Sequence, residues 1–75
     1  MTYQELGQFI KQERKKLKLT QKELADLAEV SFRTIQNIEK GDRISGKILN
    51  KILEVLNYTA IVNIEVKSIK KSKST

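Results

Sequence analysis

The chain contains neither cysteine nor histidine. The first absence excludes a disulfide framework, and the two together exclude the common zinc and haem ligand sets. No apolar run approaches the length of a membrane span, and the residues after Met1 do not resemble a secretory signal peptide. A cytoplasmic protein with no membrane partner is therefore expected. There is no glycine-rich phosphate loop, and the nine acids are dispersed among bases, with no grouping suited to a metal. No enzymatic activity, no metal and no cofactor are expected. Seventy-five residues make one small domain whose core alone is marginal. With metals and disulfides excluded, oligomerisation is left as the source of extra stability.

What is present is a modest excess of positive charge, +6 in all. Lys67, Lys70, Lys71 and Lys73 supply +4 of it with no acid among them. Basic proteins bind nucleic acid by releasing counterions, but a surplus of this size indicates one basic face and not a uniformly basic surface.

Capping and periodicity predict four short helices. Thr2 and Glu5 form a capping-box pattern, after which Leu6, Phe9, Ile10 and Leu17 recur on one face of a helix reaching about Lys18. Thr20 and Glu23 repeat the pattern ahead of Leu24, Ala25, Leu27 and Ala28. Ser31 caps a third helix that ends near Lys40 at Gly41, a natural left-handed C-terminal position. Residues 42–46 read as a loop, and a fourth helix starts at Ser45 or Gly46 and runs to about Leu56.

Beyond residue 57 the apolar period changes to two. Ala60, Val62, Ile64 and Val66 alternate with Ile61, Asn63, Glu65 and Lys67, as in a half-buried strand. Residues 68–75 are rich in lysine and serine and read as a basic disordered tail. A lone strand exposes an unpaired edge. Pairing with its copy across a two-fold axis covers that edge, whereas the alternative is an extended segment lying on the helices. The fourth helix points the same way, because Ile48, Leu49, Ile52, Leu53, Val55 and Leu56 wrap more of its circumference than one core face needs. Leu53, Leu56, Val62, Ile64 and Val66 are thus the expected dimer interface. The expected organisation is a helical unit over residues 1–57, a dimerisation strand over 58–67 and the tail over 68–75.

The second and third helices are separated only by the turn around residues 29–31, a spacing that projects the third helix outward. The stretch TQKELADLAEVSFRTIQNIEKG, residues 20–41, resembles the helix-turn-helix family of phage repressors and Cro proteins (the XRE type). The match lies in the Thr20–Gln21 start, Leu24–Ala25, Ala28, Val30–Ser31, Ile35, Ile38, Glu39 and Gly41. At Glu29 the family usually has glycine, so this turn is expected to be strained or differently shaped. The resemblance implies an all-α, repressor-like domain of four to five short helices, here with the added C-terminal strand.

Within the third helix, Arg33, Gln36 and Asn37 lie within about 100° of one another, and Ile35 and Ile38 lie on the opposite side. That polar face can enter a major groove, where arginine pairs with guanine and glutamine or asparagine with adenine. The resemblance places Phe32, Arg33 and Asn37 toward the bases. Phe32 stands between the two faces, so base contact and packing at the core edge both remain open. Gln21, at the start of the second helix, is expected to hold a phosphate, as its family counterpart does. Thr34, Lys40 and Arg43 flank the reading helix as further phosphate contacts, with Lys16 and Lys22 as outlying ones. Arg14 matches a family arginine that pairs with the glutamate here numbered Glu39, a structural ion pair.

These features together predict a homodimeric, sequence-specific repressor on a palindromic, double-stranded DNA operator, residing at the nucleoid. Helices of this type followed by one dimerising strand also resemble the HipB-type antitoxins, which repress their own operon and bind a HipA-type kinase toxin. A stand-alone, phage-type repressor and a toxin-binding module with secondary DNA binding are the alternatives.

Overall fold

A computed structural model describes the backbone of residues 1–73 and the side chains of residues 1–64. It contains four helices: α1 (Tyr3–Lys16), α2 (Gln21–Ala28), α3 (Phe32–Lys40) and α4 (Gly46–Lys73). No strand occurs among the described residues.

Side chains satisfy the amides that each helix start leaves without partners. Thr2 Oγ1 accepts from the Glu5 N–H at 3.0 Å, and Glu5 Oε1 accepts from the Thr2 N–H at 3.0 Å. Thr20 and Glu23 make the same reciprocal pair at 3.0 and 2.8 Å. The backbone N–H of each threonine, and after it the hydroxyl, lowers the pKa of the capping glutamate below the ordinary carboxylate value. Both acids therefore stay charged, and remain acceptors, to lower pH than a free glutamate. Ser31 Oγ accepts from the Thr34 N–H at 3.0 Å, and Ser45 Oγ from the Ile48 N–H at 3.3 Å.

The first three helices all end in one way. Lys18, Glu29 and Gly41 adopt φ of 60°, 57° and 107°. In each case the left-handed residue and its successor donate to the last turn: Lys18 to Lys15 and Leu19 to Arg14, Glu29 to Asp26 and Val30 to Ala25, Gly41 to Ile38 and Asp42 to Asn37. This double closure caps the final carbonyls and reverses the chain within two residues.

Packing then places α3 between α1 and α2, with α4 laid against α2. Ile10, Leu24, Ile35 and Ile52, one from each helix, are fully buried. Each such side chain stabilises the fold by about 1.5–3 kcal/mol. Ala25, Ala28, Ile38 and Leu56 complete the centre, joined by Ile44 from the connection that the sequence marks only as a loop. The crossing of α1 and α3 depends on Gly7. A Cβ there would overlap the Ile38 carbonyl oxygen, so no other residue fits without moving one backbone.

The C-terminal segment departs from expectation. Residues 58–67, read as a strand, continue α4, as do residues 68–73 of the supposed tail; residues 74–75 lie outside the described region. A strand in one chain would leave a row of backbone groups without partners, whereas a helix closes every bond within itself. Helical geometry also divides the expected strand face, since Val62 and Ile64 stand about 200° apart on it. Two interface assignments change accordingly. Leu56 is only 5% exposed and belongs to the core of the single chain. Val62 lies partly buried beside Leu27 and Tyr58, away from Ile64. The side chain of Val66 falls outside the described residues.

Substituting Gly7→Ala should cost about 1–3 kcal/mol through overpacking against backbone. Urea denaturation measures this, and an unchanged midpoint would mean that α1 and α3 do not cross closely in solution.

Candidate nucleic-acid interface

The outer face of α3 is defined by what its inner face must bury. Ile35 and Ile38 are 0% and 3% exposed, and Glu39 beside them is buried as well. Rotation of about 100° per residue then turns Arg33, Asn37 and Lys40 to the opposite side. Arg33 and Lys40 are exposed, while Asn37 and Gln36 are half-buried with their outer surfaces free. Phe32, in the first turn, is 46% exposed and stands outside the buried core.

Glu39 is fixed by three donors. Its Oε2 accepts from Arg14 Nε at 2.7 Å, and its Oε1 from Arg14 Nη2 at 3.0 Å and Gln21 Nε2 at 3.1 Å. Arg14 Nη1 donates in turn to the Leu19 carbonyl at 2.8 Å. The two charged side chains are 9% and 3% exposed, so the pair is bidentate and nearly dry. No buried side-chain polar atom among the described residues lacks a partner.

The Gln21 bond is a feature that sequence reasoning did not supply. Gln21 was expected at a phosphate, and one of its two amide protons is instead committed to Glu39. The other proton and the free backbone N–H at the start of α2 remain available. Because Glu39 lies near the end of α3, this bond sets the N-terminus of α2 beside the end of α3, where Lys40 is exposed. The only sequence signal for it is the matched trio of Arg14, Gln21 and Glu39 taken together.

The remaining expected contacts are dispersed. Thr34 shares a 2.7 Å hydroxyl–hydroxyl bond with Ser31, which orients its side chain along the first turn of α3. Arg43 is exposed on the connection after α3, and Lys22 is exposed in the first turn of α2. Lys16 sits in the last turn of α1, 3.6 Å from Glu13, with most of its side chain in solvent. Among the described residues no group of acids is placed to hold a metal, and no helix is long and apolar enough to cross a membrane.

The α2–α3 turn carries the left-handed conformation at Glu29. A non-glycine residue there costs about 1–2 kcal/mol, so Glu29 leaves the turn strained.

A family model described as helix-turn-helix matches residues 10–62. No curated protein and no solved structure matches the chain.

Two expectations follow from this geometry. Glu29→Gly should stabilise by about 0.5–1 kcal/mol, the relieved strain exceeding the entropy that glycine adds to the unfolded chain; thermal unfolding that shifts downward would contradict it. Arg14→Met alone should cost about 3–5 kcal/mol by leaving Glu39 buried and unpaired, and adding Glu39→Met should recover most of that. A double-mutant cycle in urea checks the coupling, and simple additivity of the two losses would show that the groups act independently.

Proposed function

From a chain that belongs to the helix-turn-helix family and is a DNA-binding transcription regulator, we propose a sequence-specific repressor that acts as a homodimer on a palindromic operator. The observation that carries this reading is the division of α3 into a buried face of Ile35, Ile38 and Glu39 and an outward face of Arg33, Gln36, Asn37 and Lys40. An amphipathic helix of this kind fits the major groove. Arg33 is assigned to guanine and Asn37 to adenine, with Gln36 beside them. Phe32, half-exposed at the leading end, is assigned to a thymine methyl.

Phosphate contacts would orient the domain without reading sequence. Gln21 is assigned to one phosphate through its free amide proton and the backbone N–H at the start of α2. Thr34, Lys40 and Arg43 line the approach to the groove, and Lys16 and Lys22 extend it. Two copies would set their α3 helices in successive major grooves about 34 Å apart.

The antitoxin reading, with a HipA-type kinase toxin as partner, drew its distinction from a dimerising strand. With residues 58–67 helical, what supports it is the helix-turn-helix unit that antitoxins share with stand-alone repressors. The repressor is therefore the proposal. A kinase-like reading frame directly downstream of the gene would restore the antitoxin.

Selection of bound sequences from random DNA tests the reading as a whole, since operator, symmetry and spacing emerge together. On the selected operator, Arg33→Ala and Asn37→Ala should each cost about 1–3 kcal/mol and relax selectivity at one base pair. Affinity should fall steeply with salt. Undiminished selectivity in both variants, or a flat salt titration, would remove the assigned roles.

A further inference from the structure

Beyond α3, one surface is out of keeping with the rest of the chain. A third of the residues are charged, yet one long face of α4 carries no charge from Asn50 to Ile64. Viewed down the axis, Asn50, Leu53, Asn57, Ala60, Ile61 and Ile64 share an arc of about 100°. Lys47, Lys51 and Glu54 all lie outside it. Leu53, Ile61 and Ile64 are 38%, 46% and 63% exposed. The face continues onto α1, where Phe9, Glu13 and Leu17 close one side of a groove of about 320 Å³ against Leu53, Leu56, Asn57 and Ala60.

The spacing within that face is specific. Leu53, Asn57, Ala60 and Ile64 follow one another at four, three and four residues, the repeat by which helices pair in a coiled coil. We propose that this face pairs with its own copy as an antiparallel α4–α4 seam, centred between Asn57 and Ala60. In that register Leu53 of one copy meets Ile64 of the other, and Asn57 meets Ala60. Large residues thus lie outside and small ones at the centre, and Ala60 allows close approach where Asn57 needs room. The Ile64 of each copy enters the groove that Phe9, Glu13 and Leu17 form against Leu53. In sequence the next two positions of the repeat are Lys67 and Lys71, so the apolar seam is complete within the described residues.

A second copy is favoured as occupant for two reasons. The face is self-complementary under a two-fold axis, as an isologous contact requires. Burying its exposed side chains on both copies removes on the order of 1,000 Å² of surface, the lower bound for a specific interface. The seam is therefore adequate for a dimer that DNA reinforces. A charge-free centre is also the compositional mark of interface cores.

This inference rests on the homodimeric reading above and says which face performs it. Sedimentation of the full chain, free and on its selected operator, compares Ile64→Glu with Tyr58→Glu. Tyr58 is 70% exposed and lies about 120° around α4 from Ile64, so both variants keep the core intact, which circular dichroism verifies. Ile64→Glu should be monomeric and lose most of its operator affinity, and Tyr58→Glu should remain dimeric. The chain has no native cysteine, so register can be read directly. Leu53→Cys and Ile64→Cys variants, mixed and oxidised, should cross-link to each other several-fold faster than either does to itself. A dimeric Ile64→Glu overturns the seam but leaves the dimeric repressor standing, as does self-cross-linking of Leu53→Cys that matches the mixture. A wild-type chain that is monomeric both free and on DNA overturns both.

Discussion

The Arg14–Glu39 pair is the constraint on which the arrangement of the first three helices depends. It ties the end of α1 to the end of α3, draws Gln21 in from the start of α2 and holds the Leu19 carbonyl between them. Buried ion pairs contribute little net stability, because removing two charges from water offsets most of their attraction. What this one contributes is orientation. Glu39 lies about 40° around α3 from Ile35, so fixing its carboxylate sets the roll of α3 about its axis. Arg33 and Asn37 then have to face outward. A hydrophobic contact of the same area would hold α3 in place but tolerate rotation, since apolar burial is non-directional.

The left-handed helix ends serve the same positioning. At Lys18, Glu29 and Gly41 the chain reverses within two residues, so α2 and α3 begin within a few residues of where their predecessors stop. Only Gly41 does this without a Cβ penalty. At the other two positions the two closing backbone bonds and the capping residue that follows impose the conformation. Both side chains are exposed, so neither is forced into the core by the left-handed backbone. Gly7 solves a different problem, removing side-chain volume where two backbones must touch.

The parts of the molecule legible in the sequence are those governed by local chemistry. Thr2 with Glu5, Thr20 with Glu23, Ser31 and Gly41 each announce a helix end by residue type, and the helices begin or stop within two residues of those marks. The outward face of α3 was legible too, since Ile35 and Ile38 fix its opposite. Features created through space were not. Ile44 carries no periodic signal within a polar loop, and nothing near Gly7 marks it as a helix crossing. Gln21 reads as a helix start and not as a partner of Glu39. Residues 58–67 failed for another reason: their apolar residues satisfy a period of two, and a helix divides them between two faces. The outcome then turns on where the backbone bonds close, and a single chain can close them only as a helix.

The small size of α3 sets a limit on the proposed recognition that bears on the charge-free face of α4. Two or three base contacts discriminate by about 1–3 kcal/mol each, too little for one copy to find a site among the excess of other sequences. A second copy doubles that free energy only if the two are held in fixed geometry. The contact between copies need not be strong, because DNA bound by one copy raises the effective concentration of the other. An interface of modest area is therefore matched to this task. The proposed seam would leave the free chain in exchange between monomer and dimer, and would make full assembly conditional on two correctly spaced half-sites. The proposed seam would then be part of the recognition machinery. The orientation set by Arg14 and Glu39 would in that dimer pass through α2 and α4 to the spacing of the two α3 helices.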